Sequence, residues 1–158
     1  MALLMVGEGP ATDAAKQLAA SDSTIHFLGY VTEIYGLYRM SDVALIPTRF
    51  PGESYPLCLI QALQVGVPCV ATDIGEIRGM SQIGDRQAGI IIANDSDNVR
   101  FVAELTAAME KILDKTLREG LKENAEALGK TYDIDVLAGE YLDEYRTILT
   151  RRSSPQSN

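Results

Sequence analysis

Apolar residues are distributed along this chain in two rhythms, short unbroken runs and longer stretches that recur in steps of three and four. Ala2 to Val6, Ile25 to Leu28, Val43 to Pro47, Pro68 to Thr72 and Gly89 to Ile92 belong to the first kind. They are bounded chiefly by glycine, proline and small polar residues, the way strands of a parallel sheet buried on both faces read. Gly7-Glu8-Gly9-Pro10 stops the first run, and Asp73 with Gly75 closes the fourth.

Between the runs the spacing turns helical. Ala11 to Ala20 is alanine-rich and ends in a Ser/Asp/Ser/Thr cluster at 21–24. From Thr32, the positions Ile34, Leu37, Tyr38 and Met40 recur as on a helix, and Ser41-Asp42 ends it. Leu57 to Val65 is apolar on nearly every side and predicts a buried helix stopped by Gly66, with Pro56 in its first turn, where a missing amide costs nothing. A short helical turn is expected near Ile74 to Met80, then a loop rich in Gly, Asp and Gln. Three helices follow the fifth strand. The first is capped from Asn94-Asp95-Ser96, with the stripe Val99, Val102, Leu105, Met109 and Ile112. The second, more polar, spans Thr116 to Lys130, and the third runs from Asp133 to Leu149 with Val136, Leu137, Tyr141, Tyr145 and Leu149 on its apolar face. Residues 151–158 are polar and expected to be disordered.

Strands alternating with helices predict an α/β fold: a Rossmann-like parallel sheet of about five strands, helices on both faces and a helical C-terminal end. With 158 residues the chain can bury one sizeable core, and one domain over residues 1–150 is expected. Such sheets bind ligands at the carboxyl ends of their strands. Both glycine-containing loops and Glu53 fall there.

Charge narrows the picture. Of the net −8, a share of −6 lies between Asn94 and Arg146, which holds 13 acids against 7 bases. No clustered Lys and Arg of the kind phosphate backbones require is present, so no nucleic-acid partner is expected. No apolar run approaches the roughly 20 residues of a membrane helix, so no membrane insertion by this chain is expected. Cys58 and Cys69 lack metal-ligand or redox spacing and read as buried free thiols of a reducing, cytoplasmic protein.

Candidate chemistry gathers in two places. Gly7-x-Gly9 follows a strand, but the third glycine of a dinucleotide fingerprint would fall at Thr12; the pair suits either ligand contact or a simple tight turn. His26 is the only histidine, which excludes triads and histidine-rich metal sites, and a lone histidine inside a strand reads as structural. Arg49 and Arg78 flank the second place and are candidate anion contacts or solvated surface residues. There, Glu53 leads through Ser54, Tyr55 and Pro56 into a helix start, where unpaired amides and partial positive charge form an anion site. The plain alternative is that Glu53 favours the helix dipole, worth a few tenths of a kcal/mol.

The stretch ESYPLCLIQALQVGVPCVAT, residues 53–72, closely resembles the signature of the retaining glycosyltransferases of family 4, also called group 1. In that signature a Glu, seven residues and a second Glu precede a small-residue and Gly-x-Pro stretch. LLMVGEGP, IHFLGYV, LYRMSDVALIPT and ATDIGEIRG follow in the family's order, and the terminal helices with Tyr132-Asp133 and Tyr141 to Tyr145 resemble its C-terminal end.

The resemblance implies the C-terminal, donor-binding half of a GT-B enzyme, lacking its first strand and its N-terminal acceptor domain. It further implies transfer with retention from a nucleotide-diphosphate sugar, in polysaccharide or glycoconjugate synthesis, without metal or cofactor. Glu53 would be the catalytic residue that binds donor-sugar hydroxyls, and the amides of Ser54, Tyr55, Pro56 and Leu57 would hold the diphosphate, Pro56 lacking a donor. The loop with Gly7 and Gly9 and the segment with Tyr30 and Val31 would lie beside the nucleotide. Partners would be the donor and the missing N-terminal domain, and the location cytoplasmic, reaching the inner membrane face through the missing part.

Gln61 stands where the family has its second Glu, which holds the ribose. Two acceptors become one acceptor and one donor. The family's Arg and Lys that neutralise the diphosphate should precede LLMVG, so the isolated chain is expected to be inactive. Two other readings stay open: a degenerate, non-catalytic GT-B module with an interaction or regulatory role, and a free-standing nucleotide-binding domain.

Overall fold

The computed structural model describes residues 1–153, with side chains through Thr150. The elements, in order, are β1 (Leu3–Val6), α1 (Thr12–Leu18), β2 (Ile25–Gly29), α2 (Ile34–Arg39), β3 (Ala44–Ile46), α3 (Leu57–Gln64), β4 (Cys69–Thr72), α4 (Ile77–Met80), β5 (Gln82–Ile83), β6 (Arg86–Gln87), β7 (Gly89–Ile92), α5 (Asn98–Ile112), α6 (Lys115–Gly129), a 3-10 turn (Lys130–Tyr132) and α7 (Ile134–Ser153). All five expected strands form and all pair in parallel, but as one sheet of two and one of three. The chain divides into two compact units, Met1–Gly36 and Leu37–Asn158, with the boundary inside α2.

In the first unit β1 pairs with β2, with a register shift between Met5 and Val6. No residue of this unit is fully buried. β1 was expected to be a buried strand, yet Met5 and Val6 are 39% and 43% exposed. The reason is coverage: two strands and α1, which itself buries no residue, cannot enclose both faces of a sheet.

The second unit holds the core. β4 lies between β3 and β7, and all four of its residues are buried. Successive strand side chains alternate faces. Ala44, Ile46, Cys69, Ala71 and Ile91 meet α3 and α6 residues Leu59, Ala62, Leu63, Ala125 and Leu128. Leu45, Val70, Ile90 and Ile92 pack against Phe101, Ala108 and Ile112 of α5. Helices thus cover both faces, as predicted.

Several expectations need correction. The buried face of α5 is Phe101, Leu105, Ala108 and Ile112, whereas Val99 and Val102 are exposed. Its cap is Asp97, which accepts from the amides of Val99 (2.8 Å) and Arg100 (3.2 Å). The loop before β7 contains an unforeseen antiparallel hairpin, β5–β6. Pro56 is the residue before α3 (φ −66°, ψ 120°), not one inside its first turn. Cys69 is buried but Cys58 is exposed, because the start of α3 is open. α7 extends to Ser153, so 151–153 are helical; the disorder expected for the remainder, 154–158, lies outside the described residues. Along α7, Ile134, Tyr141, Leu142 and Tyr145 stay exposed. Among the described residues no helix is long and apolar enough to cross a membrane.

Candidate functional site

The first unit carries Gly7, Gly9, Tyr30 and Val31. Gly7 leaves β1 and its amide donates to the Gly29 carbonyl at the end of β2 (2.8 Å), which brings the loop after β1 against Gly29-Tyr30-Val31. The Gly9 amide donates to Thr12 Oγ1 (2.9 Å), and the Thr12 amide donates back to the Gly9 carbonyl (3.0 Å). Both glycine donors are therefore engaged within the chain, Gly7 across to the end of β2 and Gly9 in a local turn. Tyr30 is 78% exposed and Val31 half-buried.

In the second unit the loop from Pro47 to Pro56 leaves the carboxyl end of β3 and enters α3. It is fastened at three points. Arg49 lies 5.0 Å above the centre of the Phe101 ring and donates to Asn98 Oδ1 (2.6 Å) and the Asp95 carbonyl (2.9 Å). Tyr55 meets Tyr132 edge-on, with ring centres 6.5 Å apart, and the Tyr132 hydroxyl donates to the Met80 carbonyl (3.0 Å). The Glu76 amide donates to the Ser54 carbonyl (3.1 Å), and Gly75 presses against the Glu53 carbonyl.

Between these attachments the polar groups are left open. Glu53 is half-buried; its amide donates to the Phe50 carbonyl (3.0 Å), while its carboxylate makes no ion pair among the described residues. No side chain among the described residues caps α3. The Pro56 carbonyl accepts from Leu59 (3.1 Å) and Ile60 (3.4 Å), so the amides of Leu57 and Cys58 have no intrahelical partner. A carboxylate and a helix start with its partial positive charge thus share one short loop. Although Cys58 counts as exposed, partial burial of its thiol raises its pKa, and the nearby charge of Glu53 adds to the shift. Gln61 is half-buried on α3, one turn beyond Leu57.

The two arginines are both engaged within the chain. Arg49 is turned to α5, and Arg78 grips Asp73 Oδ2 through Nε (2.9 Å) and a terminal nitrogen (2.6 Å). Gly75, Glu76, Phe101 and Tyr132 support the loop and were not singled out from sequence for that role. The sequence carries a signal for one of them, the glycine at 75 shortly past the end of a strand.

Comparison with known proteins supplies the family and the fold. The family described as Glycosyl transferases group 1 matches residues 1–115. The phosphatidyl-myo-inositol mannosyltransferase of Mycobacterium leprae is 31% identical over 98% of this chain and 40% of its own length. N-acetyl-alpha-D-glucosaminyl L-malate synthase of Bacillus anthracis is 28% identical over 93% of this chain and 38% of its own length. The chain therefore spans about two fifths of these relatives. Among solved structures, the pneumococcal O-GlcNAc transferase GtfA, in complex with UDP and GlcNAc, superimposes with a TM-score of 0.78 at 17% identity, over 94% of this chain and 30% of that one. Anabaena HepE in complex with UDP gives 0.73 at 18% identity, over 93% and 41%. These likenesses speak for the fold, while the match over 1–115 establishes kinship: the chain belongs to the glycosyl transferases of group 1.

Proposed function

We propose that this chain is the donor-binding half of a retaining glycosyltransferase that moves a sugar from a nucleotide-diphosphate sugar to an acceptor in polysaccharide or glycoconjugate synthesis. Glu53 accepts hydrogen bonds from donor-sugar hydroxyls. The amides of Ser54, Tyr55, Leu57 and Cys58 and the start of α3 hold the diphosphate, a preorganised set of donors that needs no metal. Gln61 serves the ribose with one acceptor and one donor. The observation that carries this reading is the half-buried Glu53, without a cation partner among the described residues, beside the uncapped start of α3 on a loop fastened on three sides. UDP-bound relatives of the same fold support it.

The test is calorimetric titration with UDP-glucose, GDP-mannose, UDP and GDP. One sugar nucleotide is expected to bind, and Glu53→Ala is expected to weaken it by about tenfold, the loss of hydrogen bonds to a charged group, while sparing the free nucleotide. Silence towards all four ligands at millimolar concentration would sink the proposal. A second reading, a non-catalytic module, is favoured by one observation: both flanking arginines already have partners in the chain. Binding that is insensitive to Glu53→Ala would favour it.

A further inference from the structure

We propose that Gly75 is a positioning residue for Glu53, a proposal that rests on the donor-site reading above. The turn after β4 is anchored to the sheet by the Asp73 amide, which donates to the Ile92 carbonyl (2.8 Å). It is tightened by bonds from the Ile74 amide to the Thr72 carbonyl (3.0 Å) and from the Ile77 amide to the Ile74 carbonyl (3.3 Å). Arg78 clasps Asp73 from outside. This braced turn meets the backbone that carries Glu53. A Cβ at 75 would overlap the Glu53 carbonyl oxygen and lie 2.9 Å from its carbon and 3.0 Å from Ser54 Cα. One residue on, the Glu76 amide donates to the Ser54 carbonyl. The peptide between Glu53 and Ser54 is therefore set by direct backbone contact, which only a residue without a side chain permits.

Space is the decisive requirement at Gly75, and Gly84 separates it from conformation. Both are left-handed, at φ +55° and +57°, yet a Cβ at Gly84 would meet nothing within 4 Å. Alanine imposes the same conformational cost at the two sites, but only at 75 does it push Glu53. Asn tolerates the left-handed region better than Ala, so Gly75→Asn relieves conformation and keeps the overlap.

The experiment compares wild type, Gly75→Ala, Gly75→Asn and Gly84→Ala. It follows hydrogen exchange of residues 53–57 without ligand, then calorimetric binding of UDP-glucose, GDP-mannose, UDP and GDP. Both substitutions at 75 are expected to speed exchange of the loop and to weaken the bound sugar nucleotide by up to about tenfold, the loss expected when the Glu53 carboxylate is removed altogether. The free nucleotide should lose less, and Gly84→Ala should change neither readout. Rescue of the loop by Gly75→Asn, or loop exchange in Gly75→Ala no faster than in Gly84→Ala, overturns the proposal. Should the variants at 75 not fold, the wild type decides. Its Glu76 amide must be protected from exchange in the free protein, and solvent-like exchange there overturns the contact. Absence of binding by the wild type to all four ligands refutes the donor site instead, while the exchange of the unliganded loop still decides whether Gly75 sets the Glu53 backbone.

Discussion

Thr72 ends β4 with a side chain that is wholly buried and a hydroxyl with no hydrogen-bond partner among the described residues. Burying such a group unpaired costs about 1–3 kcal/mol, so replacing it by a group of the same shape should not harm the fold. Thr72→Val is expected to leave the urea midpoint unchanged or to raise it. A loss of more than about 1 kcal/mol would show that the hydroxyl has a partner. The prediction bears on the site because Thr72 opens the turn that carries Gly75. Arg49 makes the complementary case at this scale: its guanidinium is held by Asn98, the Asp95 carbonyl and the Phe101 face, a fastening that fixes the loop while leaving Glu53 without an ion pair among the described residues.

Among the elements, α3 and α6 come into backbone contact where Gly129 ends α6. A methyl there would overlap the Leu63 carbonyl oxygen and lie 2.6 Å from its carbon and 2.8 Å from Gln64 Cα. The backbone at Gly129 is ordinary helix, φ −57° and ψ −32°, so a substitution costs packing and not conformation. Gly129→Ala should destabilise by about 1–3 kcal/mol, the usual cost of overpacking. Gly120→Ala, in the same helix with nothing within 4 Å of its Cβ, should stabilise by up to about 1 kcal/mol. Chemical denaturation reads both, and equal signs would refute the assigned contact.

Periodicity made the five parallel strands and the helices legible, because runs such as Cys69-Val70-Ala71-Thr72 are apolar for the reason that both their faces are covered. The division into sheets of two and three strands was not legible, since strand partners are chosen at long range. Nor was the hairpin of Gln82–Ile83 and Arg86–Gln87, whose two-residue strands are too short to show a rhythm. At the site, Glu53 and the open start of α3 follow from local sequence. The supports at Gly75, Phe101 and Tyr132 arise from contacts between segments far apart along the chain.

At the scale of the molecule, titration ties these pieces to stability. Tyr38 and Tyr132 both pack against the larger core cluster, and burial is the first cause that pushes each up from 10.0 to about 12. Between pH 10 and 12 the unfolded chain has released these protons while the folded chain still holds them. The contribution is therefore whole below pH 10 and is lost as pH rises through about 12. At the acid end the sign reverses. The bond from Arg100 holds Asp95 down at about 2, so its contribution is present above 3.8 and lost as pH falls through about 2. The urea midpoint should accordingly form a plateau across neutral pH and fall steeply above pH 10. Tyr132→Phe removes the hydroxyl that donates to Met80, which should lower the plateau by about 1 kcal/mol, and it removes one of the two protons. It should therefore also flatten the alkaline fall, and Tyr38→Phe combined with it should flatten it further. An alkaline slope that neither substitution alters would mean that the two hydroxyls stay as solvated in the fold as in the unfolded chain, and the packing of Tyr132 beneath Tyr55 would have to be abandoned with it.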